Sequence, residues 1–182
     1  ALIAAGLVHY QFETIHPFGD GNGRVGRMLI TLQLLLKGLL DAPLLYVSPY
    51  IERNKDEYID AMFSVSSKGD WIRWLRYFLR AVKISSNETI NTIIKLNELR
   101  DRYRSTIQQK TKSVSAITIC DHLFERPVVS ISDAAKVSET SYQSAKKNID
   151  QLVKLGIISP VPGFENPKLF WSKAVIDISD GR

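Results

Sequence analysis

A single cysteine, Cys120, occurs in the 182 residues. One thiol excludes an internal disulfide and fits a reducing compartment. Its neighbours Ile117, Ile119 and Leu123 predict a place in a core. Long apolar runs are also lacking. A spanning helix needs about 18 or more uninterrupted apolar residues, whereas the most hydrophobic run, residues 28–40, is broken by Gln33 and Lys37. These two absences set the expectation of a cytoplasmic protein with no membrane partner. A basic stretch leading into an apolar run and a small-residue cleavage site is absent too, so the beginning does not read as a signal peptide. It opens instead inside the apolar pattern ALIAAGLVHYQF, which predicts a helix whose upstream packing partners belong to a longer protein.

Alternating strand patterns are missing from the first 82 residues. Apolar positions dense enough for mostly buried helices run over residues 2–15 and 24–37, with Pro17 stopping the first and Gly38 the second. Ser48-Pro49 predicts a helix start with Ser48 as cap, running to about Ser66. Gly69-Asp70 then breaks the chain before a helix over 71–82 with Trp71, Leu75, Phe78 and Leu79 inward. The expected fold class is mainly α: an all-helical, N-terminally truncated core over 1–82, a basic connector helix over 83–112 and a small α+β domain over 113–182. Charge follows the same division. The net charge is +5, and residues 83–112 hold seven basic and three acidic side chains while the flanking segments are nearly balanced. A solvated helix is the plain expectation for the connector, and a dimer-forming or phosphate-touching face the sharper one.

The last 70 residues read as helix, short helix from Ser132, turn, longer helix over 141–155, and a hairpin of strands 157–161 and 169–171. That order predicts a winged helix-turn-helix. Lys146, Lys147 and Lys154 fall on its recognition helix and Lys168 on the wing, so DNA is a candidate partner. The segment's zero net charge makes protein docking an equal alternative.

The chemistry concentrates in HPFGDGNGRVGR, residues 16–27. Its GNGRVG satisfies G-x-G-x-x-G, but a dinucleotide fingerprint needs a strand before the first glycine, and here a helix precedes. No Lys-Ser/Thr follows the glycines, which excludes a P-loop. Phosphate-binding physics remains. Gly21, Asn22 and Gly23 head a helix, where free amides and the helix dipole favour an anion. Arg24 and Arg27 share a face and carry forked guanidinium donors. Asp20 is placed to hold a Mg²⁺ bridging phosphates, and His16 is the group suited to general-base work near neutrality.

HPFGDGNGR resembles the signature of the Fic family, H-P-F-x-D/E-G-N-G-R, with Arg27 as the usual second arginine. Similar segments follow in SPYIERNKDEYIDAM and GDWIRWLRYFL. The resemblance implies transfer of AMP from ATP to a Tyr, Ser or Thr hydroxyl of a target protein, with Mg²⁺ as cofactor. In that reading His16 deprotonates the hydroxyl and Asp20 holds Mg²⁺ against the α- and β-phosphates. Gly21, Asn22 and Gly23 form the anion hole, Arg24 and Arg27 hold the outer phosphates, and Asn54 and Tyr58 are candidates for the adenosine end. The family's target-docking flap would lie upstream. Its inhibitory pattern, S/T-x-x-x-E-G/N, has no match, since Arg53 follows Ser48-Pro-Tyr-Ile-Glu52. Removal of AMP or phosphotransfer at the same loop, and a nucleotide-sensing DNA-binding regulator, are the alternatives.

Overall fold

The structure, a computed structural model, describes residues 1–181. The chain is mainly helical with one small antiparallel sheet, and it divides into two compact units, residues 1–91 and 92–182.

Unit 1 contains α1 (Leu2–Ile15), α2 (Asn22–Leu36), α3 (Ser48–Arg53), α4 (Lys55–Lys68) and the first half of α5 (Trp71–Lys110). Its core is aromatic and aliphatic, built on Trp74, Phe78, Tyr10, Tyr50 and Ile30. Trp74 is fully buried, and its indole N–H donates to the Gly6 carbonyl at 2.9 Å. Glycine is required there because a β-carbon at position 6 would meet the Phe78 ring at 2.8 Å. The absent side chain at Gly6 makes room for the Phe78 ring, while the Gly6 carbonyl satisfies the one polar atom that the buried indole carries.

Four expectations for this unit need correction. The helix over 71–82 and the connector over 83–112 are one element, α5, which passes through the unit boundary. No Gly or Pro interrupts residues 71–110, so nothing local ends the helix at residue 82. The inward stripe Trp74, Phe78, Ala81 and Val82 also continues onto the buried Ser85. On α5, Trp71 and Leu79 are exposed and Tyr77 lies inside. The helix over 48–66 is broken at Asn54, whose amide donates to the Tyr50 carbonyl at 2.8 Å and ends α3. Finally, α1 and α2 are buried on one face only, with Ile3, Val8, Ile15, Met28, Leu32 and Leu36 exposed. Apolar density alone does not tell a two-sided helix from one that has a partner on a single side.

Unit 2 joins the end of α5 to α6 (Val114–His122), β1 (Val128–Ser130), α7 (Ile131–Val137), α8 (Tyr142–Lys154), β2 (Ser159–Glu165), β3 (Lys168–Trp171) and α9 (Lys173–Ser179). Strand order is β1-β3-β2, all antiparallel. β1 and α9 go beyond the sequence reading. β1 has only three residues, too few for a periodic signal, and exists by pairing Val128 with Trp171 and Val129 with Phe170. The cap of α7 is Ser130 rather than Ser132, in a reciprocal pair with Asp133, whose carboxyl is held low by the Ser130 hydrogen bonds. α8 is capped by Ser141 and buries Ala145, Ile149 and Leu152 against Ile119, Cys120 and Leu123. Burial pushes the Cys120 thiol up to about 12, so it is inert. Arg104 of α5 grips Asp121 of α6 through two 2.7 Å hydrogen bonds.

Candidate functional site

The loop between α1 and α2 begins at a left-handed residue. His16 has φ 49° and ψ 57°, and its N–H closes the last turn of α1 on the Phe12 carbonyl at 3.0 Å. Pro17 cannot continue the helix, so the reversal falls on His16 itself. The imidazole is exposed. Its Nδ1 lies 3.3 Å from the Glu13 carbonyl oxygen, and the tautomer that donates there leaves Nε2 as a free base facing outward.

Asn22 shapes the rest of the loop. It is buried, accepts from the Phe18 N–H at 2.9 Å and donates to the Phe18 carbonyl at 2.5 Å. These two bonds fold residues 18–22 back on themselves at the head of α2. Gly21 precedes it at φ 86°, a left-handed conformation that favours glycine. No side chain caps α2, and the Val25 N–H makes the first helical bond, to the Gly21 carbonyl at 3.0 Å. The amides of Asn22, Gly23 and Arg24 therefore have no helical acceptor, which makes an anion site.

Charged groups surround that opening. Asp20 accepts from the Gly21 N–H at 2.7 Å and faces Arg24 at 3.4 Å. The Arg24 and Asp20 side chains are 73% and 94% exposed, so the pair is weak and easily exchanged for a ligand. Arg27 is held differently. Its Nε donates to the Ser48 hydroxyl at 2.8 Å, and its Nη1 lies 3.0 Å from where a β-carbon on Gly23 would be. Ser48, expected to cap α3, makes no capping bond.

Beneath the loop lies a polar interior that the sequence reading did not assemble. His9 is buried, and its Nε2 is 3.1 Å from the Tyr58 hydroxyl. Burial pulls the imidazole down to about 4, and the Arg27 charge acts the same way while the Gly26 backbone opposes it. Glu13, one turn further along α1, turns its Oε1 into the interior against Gly26, where that atom has no hydrogen-bond partner among the described residues. Burial raises its carboxyl, and the positive charges of Arg27 and His16 partly offset this. Tyr58 is also pushed up by burial and by Glu13.

His16, Asp20, Gly21, Asn22, Gly23, Arg24 and Arg27 thus share one loop and helix head. Asn54 and Tyr58 are placed otherwise: Asn54 spends its amide on Tyr50, and the Tyr58 ring packs in the interior beside His9 and Trp74. Neither makes a hydrogen bond to the loop among the described residues. Glu13 and Ser48 were missed. The i, i+4 spacing of His9 and Glu13 on α1 was a visible signal, whereas the Ser48–Arg27 contact is set by tertiary packing. In unit 2, Lys146, Lys147 and Lys154 line one shallow groove on α8 with Gln143, Asp150 and Gln151. Lys168 instead lies over the Phe170 ring, 5.7 Å from its centroid.

Among the described residues no group of three or more metal-binding side chains occurs, and no helix is long and apolar enough to cross a membrane. The site is thus a helix–loop–helix turn with free backbone amides at the head of α2 and an exposed histidine at its rim. Residues 1–34 match the model of the Fic/DOC family. The chain is 45% identical over 56 residues to a probable protein adenylyltransferase of Aquifex aeolicus, an overlap of 31% of this chain and 15% of that protein. It is 31% identical over 98 residues to the protein adenylyltransferase fic-1 of Caenorhabditis briggsae, covering 48% and 18%. With the protein adenylyltransferase Fic of Aedes aegypti it shares 31% identity over 88 residues, covering 48% and 15%. The chain spans under a fifth of the length of these curated relatives.

Proposed function

We propose that unit 1 carries the transfer site of a protein adenylyltransferase that uses ATP and modifies a Tyr, Ser or Thr hydroxyl of a target protein. The observation that carries this reading is the coupling of an outward-facing base, His16, to the unpaired amides of Asn22, Gly23 and Arg24 by one clamped loop. In the reaction the target oxygen forms a bond to the α-phosphorus while the bond to the β-phosphate oxygen breaks and pyrophosphate leaves. His16 Nε2 takes the hydroxyl proton. The loop amides hold the non-bridging oxygens where negative charge builds, and Arg24 and Arg27 hold the outer phosphates. The names of the relatives support this choice over the same loop removing AMP or transferring phosphate.

A magnesium ion fits the donor set as a shared ligand, because a single exposed carboxylate, Asp20, stands at the opening and Mg²⁺ is commonly bound by one or two carboxylates together with substrate phosphates. Bound there, it would neutralise charge on the α- and β-phosphates.

For unit 2, the order α6, β1, α7, α8, β2, β3 with the β1-β3-β2 sheet supports a winged helix-turn-helix. A second reading, a nucleotide-sensing regulator that binds DNA through α8, is favoured by one observation. Lys146, Lys147 and Lys154 have no ion-pair partner among the described residues.

Full-length protein incubated with α-labelled ATP and lysate of its own cells tests the proposal. Label on a target protein with wild type, and none with His16→Ala, is the expected result. Transfer from γ-labelled ATP would mean phosphotransfer instead. No label from either, together with a salt-dependent shift of DNA, would replace the enzyme by the regulator.

A further inference from the structure

Ser48 opens α3 and is followed by Pro49, an arrangement in which a serine hydroxyl ordinarily caps the helix. Here it does not. The helix starts from Val47 with no side-chain cap, and Ile51 N–H reaches the Val47 carbonyl at 3.1 Å. The Ser48 hydroxyl instead accepts from Arg27 Nε at 2.8 Å, across 21 residues of sequence.

That bond matters because of what it leaves free. A guanidinium presents a planar fork of donors, and engaging Nε fixes the plane while leaving both terminal nitrogens available. In this structure Nη1 is directed back over the first turn of α2, 3.0 Å from the position of a β-carbon on Gly23. Glu13 lies within electrostatic reach on the interior side but forms no ion pair with Arg27 among the described residues. The direct hold on the guanidinium is therefore the Ser48 hydroxyl, and glycine at position 23 leaves the space into which the fork points.

We propose that Ser48 is a positioning residue: its hydroxyl fixes the Arg27 fork toward the loop amides and so sets affinity for the phosphate end of ATP. This rests on the nucleotide reading of the loop. It acts on ligand affinity rather than on the transfer step, because His16 and the amides at the α-phosphate are untouched by it.

The experiment compares wild type, Ser48→Ala, Ser48→Thr, Arg27→Ala and the Ser48→Ala/Arg27→Ala pair in the full-length protein, with ATP binding measured by titration calorimetry. Ser48→Ala should weaken ATP binding about five- to tenfold, Ser48→Thr should restore it, and the double variant should bind no worse than Arg27→Ala alone. The Arg27 Nε–H resonance, read by NMR without nucleotide, should lose its protection from exchange in Ser48→Ala and keep it in Ser48→Thr. A purely structural serine would instead give a loss additive with Arg27→Ala and no rescue by threonine, and that pattern overturns the proposal. So does ATP binding that falls in Arg24→Ala yet stays at the wild-type level in Ser48→Ala, an outcome that leaves the nucleotide reading intact. Failure of every variant, wild type included, to bind ATP would overturn the nucleotide reading and this inference with it.

Discussion

Nε2 of His9 and the hydroxyl of Tyr58 lie 3.1 Å apart, tying α1 to α4 behind the loop that joins α1 to α2. The imidazole is neutral there, because burial pulls it from 6.5 to about 4. Between those two pH values the unfolded chain binds more protons at this position than the folded one. The stability from a neutral His9 is therefore complete above about pH 6.5 and is lost as pH falls toward 4, by about 3 kcal/mol in all. Urea unfolding at pH 7.5 and 4.5 should show a steeper loss for wild type than for His9→Gln. Equal losses would mean that His9 titrates as if exposed.

Gly26 faces Glu13 Oε1 so closely that an added β-carbon could not fit, and His9 Cε1 would sit only 3.2 Å from it. Gly26→Ala should therefore destabilise unit 1 by about 1–3 kcal/mol, the usual cost of overpacking. Glu13→Ala in the same chain should recover part of that loss by removing the nearer obstacle. Thermal unfolding of the two single variants and the double reads this directly.

Asn22→Ala removes both bonds that fold residues 18–22, from a residue that is 2% exposed. The Phe18 amide and carbonyl lose their partner, at a cost of about 1–3 kcal/mol. ATP binding should fall with it, because the amides at the head of α2 no longer face a closed loop. A variant with wild-type ATP affinity would show that the clamp serves folding alone.

Arg24 gives the opposite pattern. Its side chain is 73% exposed, and among the described residues its one ion pair is the loose contact with Asp20. Arg24→Ala should leave stability within about 0.5 kcal/mol of wild type and weaken ATP binding about tenfold or more through lost charge-assisted hydrogen bonds. Urea unfolding and calorimetry on one preparation separate the two effects.

The loop was legible because its signals are local: Pro17 after His16, glycines where the chain reverses, arginines three apart on one helix. Unit 2 was legible for the same reason, since Ser141 and Gly156 punctuate α8. What stayed hidden depends on partners distant in sequence. The path of α5 through Ser85 needed the burial of that serine. The three residues of β1 needed β3, and the bond from Arg27 to Ser48 needed α2 and α3 to meet. Asn54 and Tyr58 were named by resemblance, and their contacts in the structure are likewise distant or local packing that no motif spells out. Tyr58 went to His9, Asn54 to the turn between α3 and α4.

The left-handed backbone of His16 restricts that position before chemistry is considered. At φ 49° histidine, asparagine and aspartate are tolerated, whereas valine or isoleucine would be strained. A variant library at position 16 will therefore lose its β-branched members to misfolding, and their silence carries no information about the base. Asparagine keeps the turn and removes the proton acceptor, which makes His16→Asn the better inactive control than the alanine variant.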